Sequence, residues 1–219
     1  AVAYWRDLAA DSERILGPDA LETLVVTGCL GEALMTAGQA AEAVPAFQRV
    51  LDGRADKLGP DHPGAIAAKV ALGRALAATG RPGDAVPVLE EALAGSELVR
   101  GADHIDTLAA REEYAAAVLA AGKTAEAVRS YRHALADRER IQGSQHPGAA
   151  SASLWLAAAY LASGQAKDAI AQYKQVLANT EGVLGAECAE LAVRDGDGVV
   201  LEDDLHFFPK YEAVFLFRS

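Results

Sequence analysis

The feature that most constrains this chain is a glycine that returns every 42 residues. Leu16-Gly17-Pro18-Asp19, Leu58-Gly59-Pro60-Asp61-His62-Pro63, Gly101-Ala102-Asp103-His104, Gly143-Ser144-Gln145-His146-Pro147 and Leu184-Gly185-Ala186-Glu187 are five copies of one linker. A second glycine stands 21 residues after each of the first four, at Gly38, Gly80, Gly122 and Gly164. Two breakers per unit leave room for two helices of about 16 residues each. Because one such hairpin cannot bury its apolar face alone, the pattern predicts hairpins stacked one on the next.

The columns between the breakers agree in chemical type. In the first helix they read Leu24/Ile66/Leu108/Ala150, Leu30/Leu72/Tyr114/Leu156 and Leu34/Leu76/Val118/Tyr160, beside a small column Gly31/Gly73/Ala115/Ala157. In the second helix they read Ala43/Ala85/Ala127/Ala169, Val44/Val86/Val128/Ile170, Phe47/Leu89/Tyr131/Tyr173 and Leu51/Leu93/Leu135/Leu177. Spacings of 3, 4 and 7 are those of a helix with one buried face. Small residues opposite Phe47 and its equivalents let the two helices approach closely. Asp19, Asp61 and Asp103 stand where a side chain could cap the following helix, and Pro63 and Pro147 suit a first helical turn. Pro45 and Pro87 fall about one turn into second helices, where a missing N–H matters little, so both helices are expected to run through.

Composition narrows the function. A net charge of −11 repels phosphate backbones and anionic lipid, so neither nucleic acid nor a membrane surface is an expected partner. No apolar run reaches the roughly 18 residues needed to span a bilayer. Cys29 and Cys188 lie almost four repeats apart and read as free thiols, the pattern of a cytoplasmic chain.

Nothing in the sequence argues for an enzyme or a cofactor. A phosphate-binding Gly-x-x-x-x-Gly-Lys loop and a Gly-x-Ser-x-Gly elbow are both missing. His62, His104 and His146 share one column, but copies of a column lie about two helix diameters apart, whereas zinc ligands meet within about 2 Å of one ion. They read as linker residues closing the turn before each helix. Asp195-Gly196-Asp197-Gly198 has its glycine too early for a calcium loop and reads as a tight turn.

These residues resemble the tetratricopeptide family, in the longer 42-residue form found in kinesin light chains. The likeness rests on the small column with its apolar flanks, the Ala43 and Phe47 columns, and the Gly-x-Asp-His-Pro linker, over residues 1 to about 187. It implies an all-α fold, a right-handed superhelical solenoid of antiparallel helix hairpins, and a concave groove lined by first helices that takes a peptide or partner helix. Carried over by position, the groove residues are Glu32, Met35, Val70, Arg74, Glu112, Leu119, Leu154 and Leu161, with Arg74 between Glu32 and Glu112 setting charge register. The kinesin-light-chain pattern commonly has an asparagine in this groove; here the matching places hold Gly28-Cys29, Val70-Ala71, Glu112-Glu113 and Leu154-Trp155.

The repeat domain is expected over residues 1–187. It begins inside the second helix of a cut repeat, since Ala1, Trp5 and Leu8 precede Ala43, Phe47 and Val50 by 42, and four repeats follow. Residues 188–219 depart from the pattern as an aberrant tail that reads as a cap or an interaction segment, its last stretch as strand. Within it, Leu-Glu-Asp-Asp-x-His-Phe-Phe-Pro-x-Tyr is similar to a segment of bacterial periplasmic quaternary-amine-binding proteins, over too few residues to form their domain. The sequence thus points to a protein–protein interaction scaffold. Two other readings are an oligomerising element, with residues 194–219 joining a homodimer, and the regulatory arm of a larger signalling ATPase.

Overall fold

The structure is a computed structural model and describes residues 1–184. Among those residues the chain forms α1 (Val2–Leu16), α2 (Leu21–Thr36), α3 (Ala40–Leu58), α4 (Pro63–Ala78), α5 (Pro82–Arg100), α6 (Ile105–Ala120), α7 (Thr124–Gln142), α8 (Pro147–Ala162) and α9 (Ala166–Leu184). No strand occurs among them, and the fold is an all-α helical-repeat solenoid. The tail from residue 188, with its cap, strand, turn and two-copy readings, lies outside the described residues.

Each hairpin turn is built the same way. The Gln39 N–H donates to the Leu34 carbonyl at 2.8 Å and the Gly38 N–H to the Met35 carbonyl at 3.1 Å, two bonds that satisfy the last carbonyls of α2. Gly38 holds φ at +71°, where a side chain would be strained. The pair of bonds recurs at Arg81, Lys123 and Gln165. Pro45 and Pro87 lie inside unbroken helices, as their position one turn in predicts.

The linkers correct one expectation. Asp19, Asp61 and Asp103 are not the N-caps; that position belongs to the next residue. His62, His104 and His146 occupy it, and each Nδ1 accepts a backbone N–H from two residues on, Gly64 at 3.0 Å, Asp106 at 3.1 Å and Gly148 at 3.0 Å. An imidazole nitrogen with its lone pair free can accept in this way. The histidine column therefore closes the turn before each helix. In the first linker Ala20 stands at the cap position and offers no side-chain acceptor.

The described residues divide into two compact units, 1–137 and 138 onward. In the first, the core includes Leu34, Phe47, Leu72, Leu76, Leu89 and Ala117, with Ala43 and Ala85 between the helices. The small column decides how close the helices come. A Cβ on Gly31 would lie 2.6 Å from the Phe47 ring, and one on Gly73 would lie 2.4 Å from Leu89 Cγ. A second set of close approaches involves Gly53 against Leu24 and Gly95 against Ile66. One repeat later that column holds Asp137, which receives a charge-assisted hydrogen bond from Arg111. Arg111 is 5% exposed and also donates to Glu97 at 2.7 Å, so a buried guanidinium takes the place of an apolar contact. In the second unit, Leu156 and Tyr160 of α8 are buried, as is Ala169 of α9. Ser153 donates to Gln172 at 2.8 Å between those two helices.

This packing makes the small column testable. Alanine is the better helix former by about 1 kcal/mol, while overpacking a tight core costs about 1–3 kcal/mol. Gly73→Ala is therefore expected to lower the melting temperature, by the equivalent of about 1 kcal/mol. Gly83→Ala, on a helical glycine with nothing within 4 Å of its Cβ position, should leave it unchanged or higher. Thermal unfolding followed by circular dichroism checks both; a stabilised Gly73→Ala would refute the close approach.

Candidate functional site

Within the first unit, a cleft of about 760 Å³ opens along α2. Its lining includes Val25, Gly28, Cys29, Glu32 and Ala33 of α2, Ala67 and Ala71 of α4, Trp5 of α1 and Phe47 of α3. Gly28 and Ala33 of α2 with Ala67 and Ala71 of α4 make a surface that a ligand backbone can approach closely, beside the rings of Trp5 and Phe47.

Of the residues expected in the groove, Glu32 and Arg74 are brought into direct contact. Arg74 Nη2 donates to Glu32 Oε1 at 2.5 Å and Oε2 at 2.6 Å, one repeat apart in sequence. Both side chains remain substantially exposed, at 38% and 53%, so the pair contributes about 1 kcal/mol at most. Arg74 Nε is buried and finds no hydrogen-bond partner among the described residues. Met35 and Val70 are half-buried and pack against the core, so each presents only an edge. Glu112 and Leu119 are half-buried on α6. In the second unit, Leu154 is half-buried and Leu161 is 49% exposed, both on α8.

Between α6 and α7, carboxylates lie near the half-buried Tyr114 and the buried Tyr131. Tyr114 donates its hydroxyl to Glu126 Oε1 at 2.8 Å, and burial together with that carboxylate pushes its pKa up to about 12. Burial pushes the Tyr131 phenol up as well, with the charges of Glu113 and Glu112 adding to the effect.

Trp5 and Ala67 carry no mark in the sequence as lining residues, Trp5 because its column is a core column. Gly28-Cys29 and Val70-Ala71 stand where the family pattern commonly has an asparagine, and Gly28, Cys29 and Ala71 line the cleft. No cluster of three or more histidine, cysteine or acidic side chains able to hold a metal occurs among the described residues. No helix among them is long and apolar enough to cross a membrane.

The tetratricopeptide repeat family model matches residues 19–97 and 106–182. A solved structure of nearly identical TPR-like repeats from Podosopora anserina, described as kinesin light chain, is 29% identical, with a TM-score of 0.75 over 84% of this chain and 87% of that one. BtubC (BKLC) from P. vanneervenii is 14% identical, with a TM-score of 0.71 over 92% of this chain and 79% of that one. A Rap protein complexed with Competence and Sporulation Factor is 16% identical, with a TM-score of 0.67 over 82% of this chain and 48% of that one. The last two share the fold. Among curated protein sequences, none matches this chain.

The tyrosine environment gives a pH prediction. Tyr114 keeps its proton more tightly folded than unfolded, with pKa about 12 against 10.0, so its contribution to stability is full below pH 10 and lost as pH rises toward 12. Tyr114→Phe should therefore show a shallower fall of melting temperature than the parent chain between about pH 9.5 and 11.5. Equal slopes in parallel melts would refute the shift.

Proposed function

Since this chain belongs to the tetratricopeptide repeat family, we propose that it is a protein-interaction scaffold that takes a peptide or partner helix in a groove lined by its first helices. The family is generally an interaction fold and not a catalytic one, in keeping with the absence of nucleophile and phosphate-loop motifs from the sequence.

The observation that carries the reading is the cleft along α2, with small residues and Glu32, the partner of Arg74, in its lining. Gly28, Ala33, Ala67 and Ala71 let a ligand approach closely, and Val25 and Trp5 supply apolar area. Arg74 orients the ligand. Its guanidinium is already held by Glu32 and retains an unused donor at Nε, so a ligand carbonyl or carboxylate can complete its hydrogen bonding after a small side-chain shift. Met35, Val70 and Leu119 give edge contacts, and Glu112 selects against acidic partners. On α8 of the second unit, Leu154 and Leu161 are the corresponding positions.

Affinity capture followed by mass spectrometry identifies the partner, and calorimetric titration with that partner then tests the groove. Arg74→Glu places two carboxylates where an ion pair stood; it should weaken binding by roughly tenfold, the effect of losing a charge-assisted contact of about 1.4 kcal/mol. Loss of the Glu32 pair should lower stability by about 1 kcal/mol, leaving the chain folded for the titration. A partner that binds the variant unchanged refutes the assignment.

A further inference from the structure

The first helices differ in what they bring to the groove. Charge stands at the groove positions of three of them, as Glu32 on α2, Arg74 on α4, and Glu112 with Glu113 on α6. In the second unit the matching positions of α8 hold Ala158, Leu154 and Trp155, and α8 has no acidic or basic residue along its whole length. Together with Leu161 these residues follow helical spacing and share one face. Leu161 is 49% exposed, and Leu154, Trp155 and Ala158 are half-buried. The second unit thus presents an uncharged apolar face on a chain whose net charge is −11.

The chain itself carries a matching occupant. Four of its five phenylalanines, Phe207, Phe208, Phe215 and Phe217, fall within residues 205–217, where Lys210 balances Glu212. Residues 185–204 carry seven acidic residues against one arginine. Carboxylates lose hydration against an uncharged face and gain no partner there, so the phenylalanine-rich stretch fits α8 and the acidic stretch does not. Asn179 Nδ2 donates to the Ser144 carbonyl at 3.1 Å, which holds the end of α9 against the linker that opens α8. From Leu184, the 21 residues to Leu205 can span up to about 70 Å, whereas α8 is only about 24 Å long. Reach is therefore no obstacle, and a tethered segment meets such a face at an effective concentration on the order of millimolar.

We propose that residues 205–217 are an intramolecular ligand of the α8 groove, with their phenylalanine rings against Leu154, Trp155 and Leu161. The inference rests on the first helices forming a groove, and it names the ligand class of the second unit: an uncharged, phenylalanine-rich segment. A partner of the same chemistry has to displace the tail, so the tail sets the threshold for binding at α8. The Arg74→Glu titration reads the first unit without Trp155, so failure at α8 leaves that groove standing.

The reporter is Trp155 in the full chain carrying Trp5→Phe, which leaves one tryptophan. In this parent, Trp155 should emit in the blue and resist acrylamide. Changing Phe207, Phe208, Phe215 and Phe217 together to serine should shift the emission to the red and raise acrylamide quenching severalfold. A synthetic peptide of residues 205–217 added to the serine variant should reverse both changes. Leu161→Asp, at a position exposed enough for the fold to tolerate it, should block that reversal and should by itself expose Trp155 in the parent. Circular dichroism shows that each receptor keeps its helix, and Leu161→Asp carries the test should the four serines unfold the chain. The proposal is overturned if Trp155 is equally accessible in the parent and in the folded variants, since the face is then empty or covered by other residues. It is overturned as well if the peptide leaves Trp155 exposed, or if shielding appears only as the mass rises with concentration, because the occupant is then the tail of a second copy.

Discussion

The structure depends on a pairing of a small residue with a bulky one across each hairpin. With no Cβ at Gly31 or Gly73, the ring of Phe47 and the branch of Leu89 rest against the backbone of the opposing helix. That contact fixes how far apart the two helices lie and how many residues the turn between them can hold. A glycine at the turn follows, because so short a connection needs a positive φ, as at Gly38. Each repeat then inherits the same geometry, and stacking one on the next is the way to bury what remains apolar. In the third hairpin Ala115 and Tyr131, both at most 1% exposed, meet the same demand with a larger small residue and a flatter large one.

The helices, their turns and the core columns were legible because each level of the sequence repeats the same instruction. The caps were misread for an instructive reason. Aspartate is the stronger capping residue in general, and it stands beside histidine in the linker. Pro63 and Pro147 decide the matter, since proline fits the first helical position and makes the residue before it the cap. Position outranked propensity. Arg111 is hidden in the sequence because Gly53 and Gly95 give way to Asp137 one repeat on, so the column changes chemical type and carries no repeating signal.

The candidate site was legible in direction but not in depth. Periodicity tells which face of a helix a side chain occupies; it does not tell how much of that side chain its neighbours cover. Met35 and Val70 lie on the expected face, yet both lean into the core. Glycine and alanine around them lower the surface enough that the cleft forms beside Gly28 and Ala71 instead. Trp5 enters the lining from a helix whose sequence pattern marks it only as a core position.

The charges of the first unit divide the labour with the core. Arg6–Glu42, Arg49–Glu13 and Arg74–Glu32 join residues 36 or 42 apart, so each links neighbouring repeats rather than the halves of one hairpin. All three pairs are more than a third exposed, and such pairs contribute at most about 1 kcal/mol each. Burying one Phe47-sized side chain contributes about 2–3 kcal/mol, so packing and not charge sets the geometry between repeats. The charges can then vary on the exposed face without endangering the fold. That freedom is what an interaction scaffold requires, since partner choice is written in surface charges and small-residue contours while the columns beneath stay fixed.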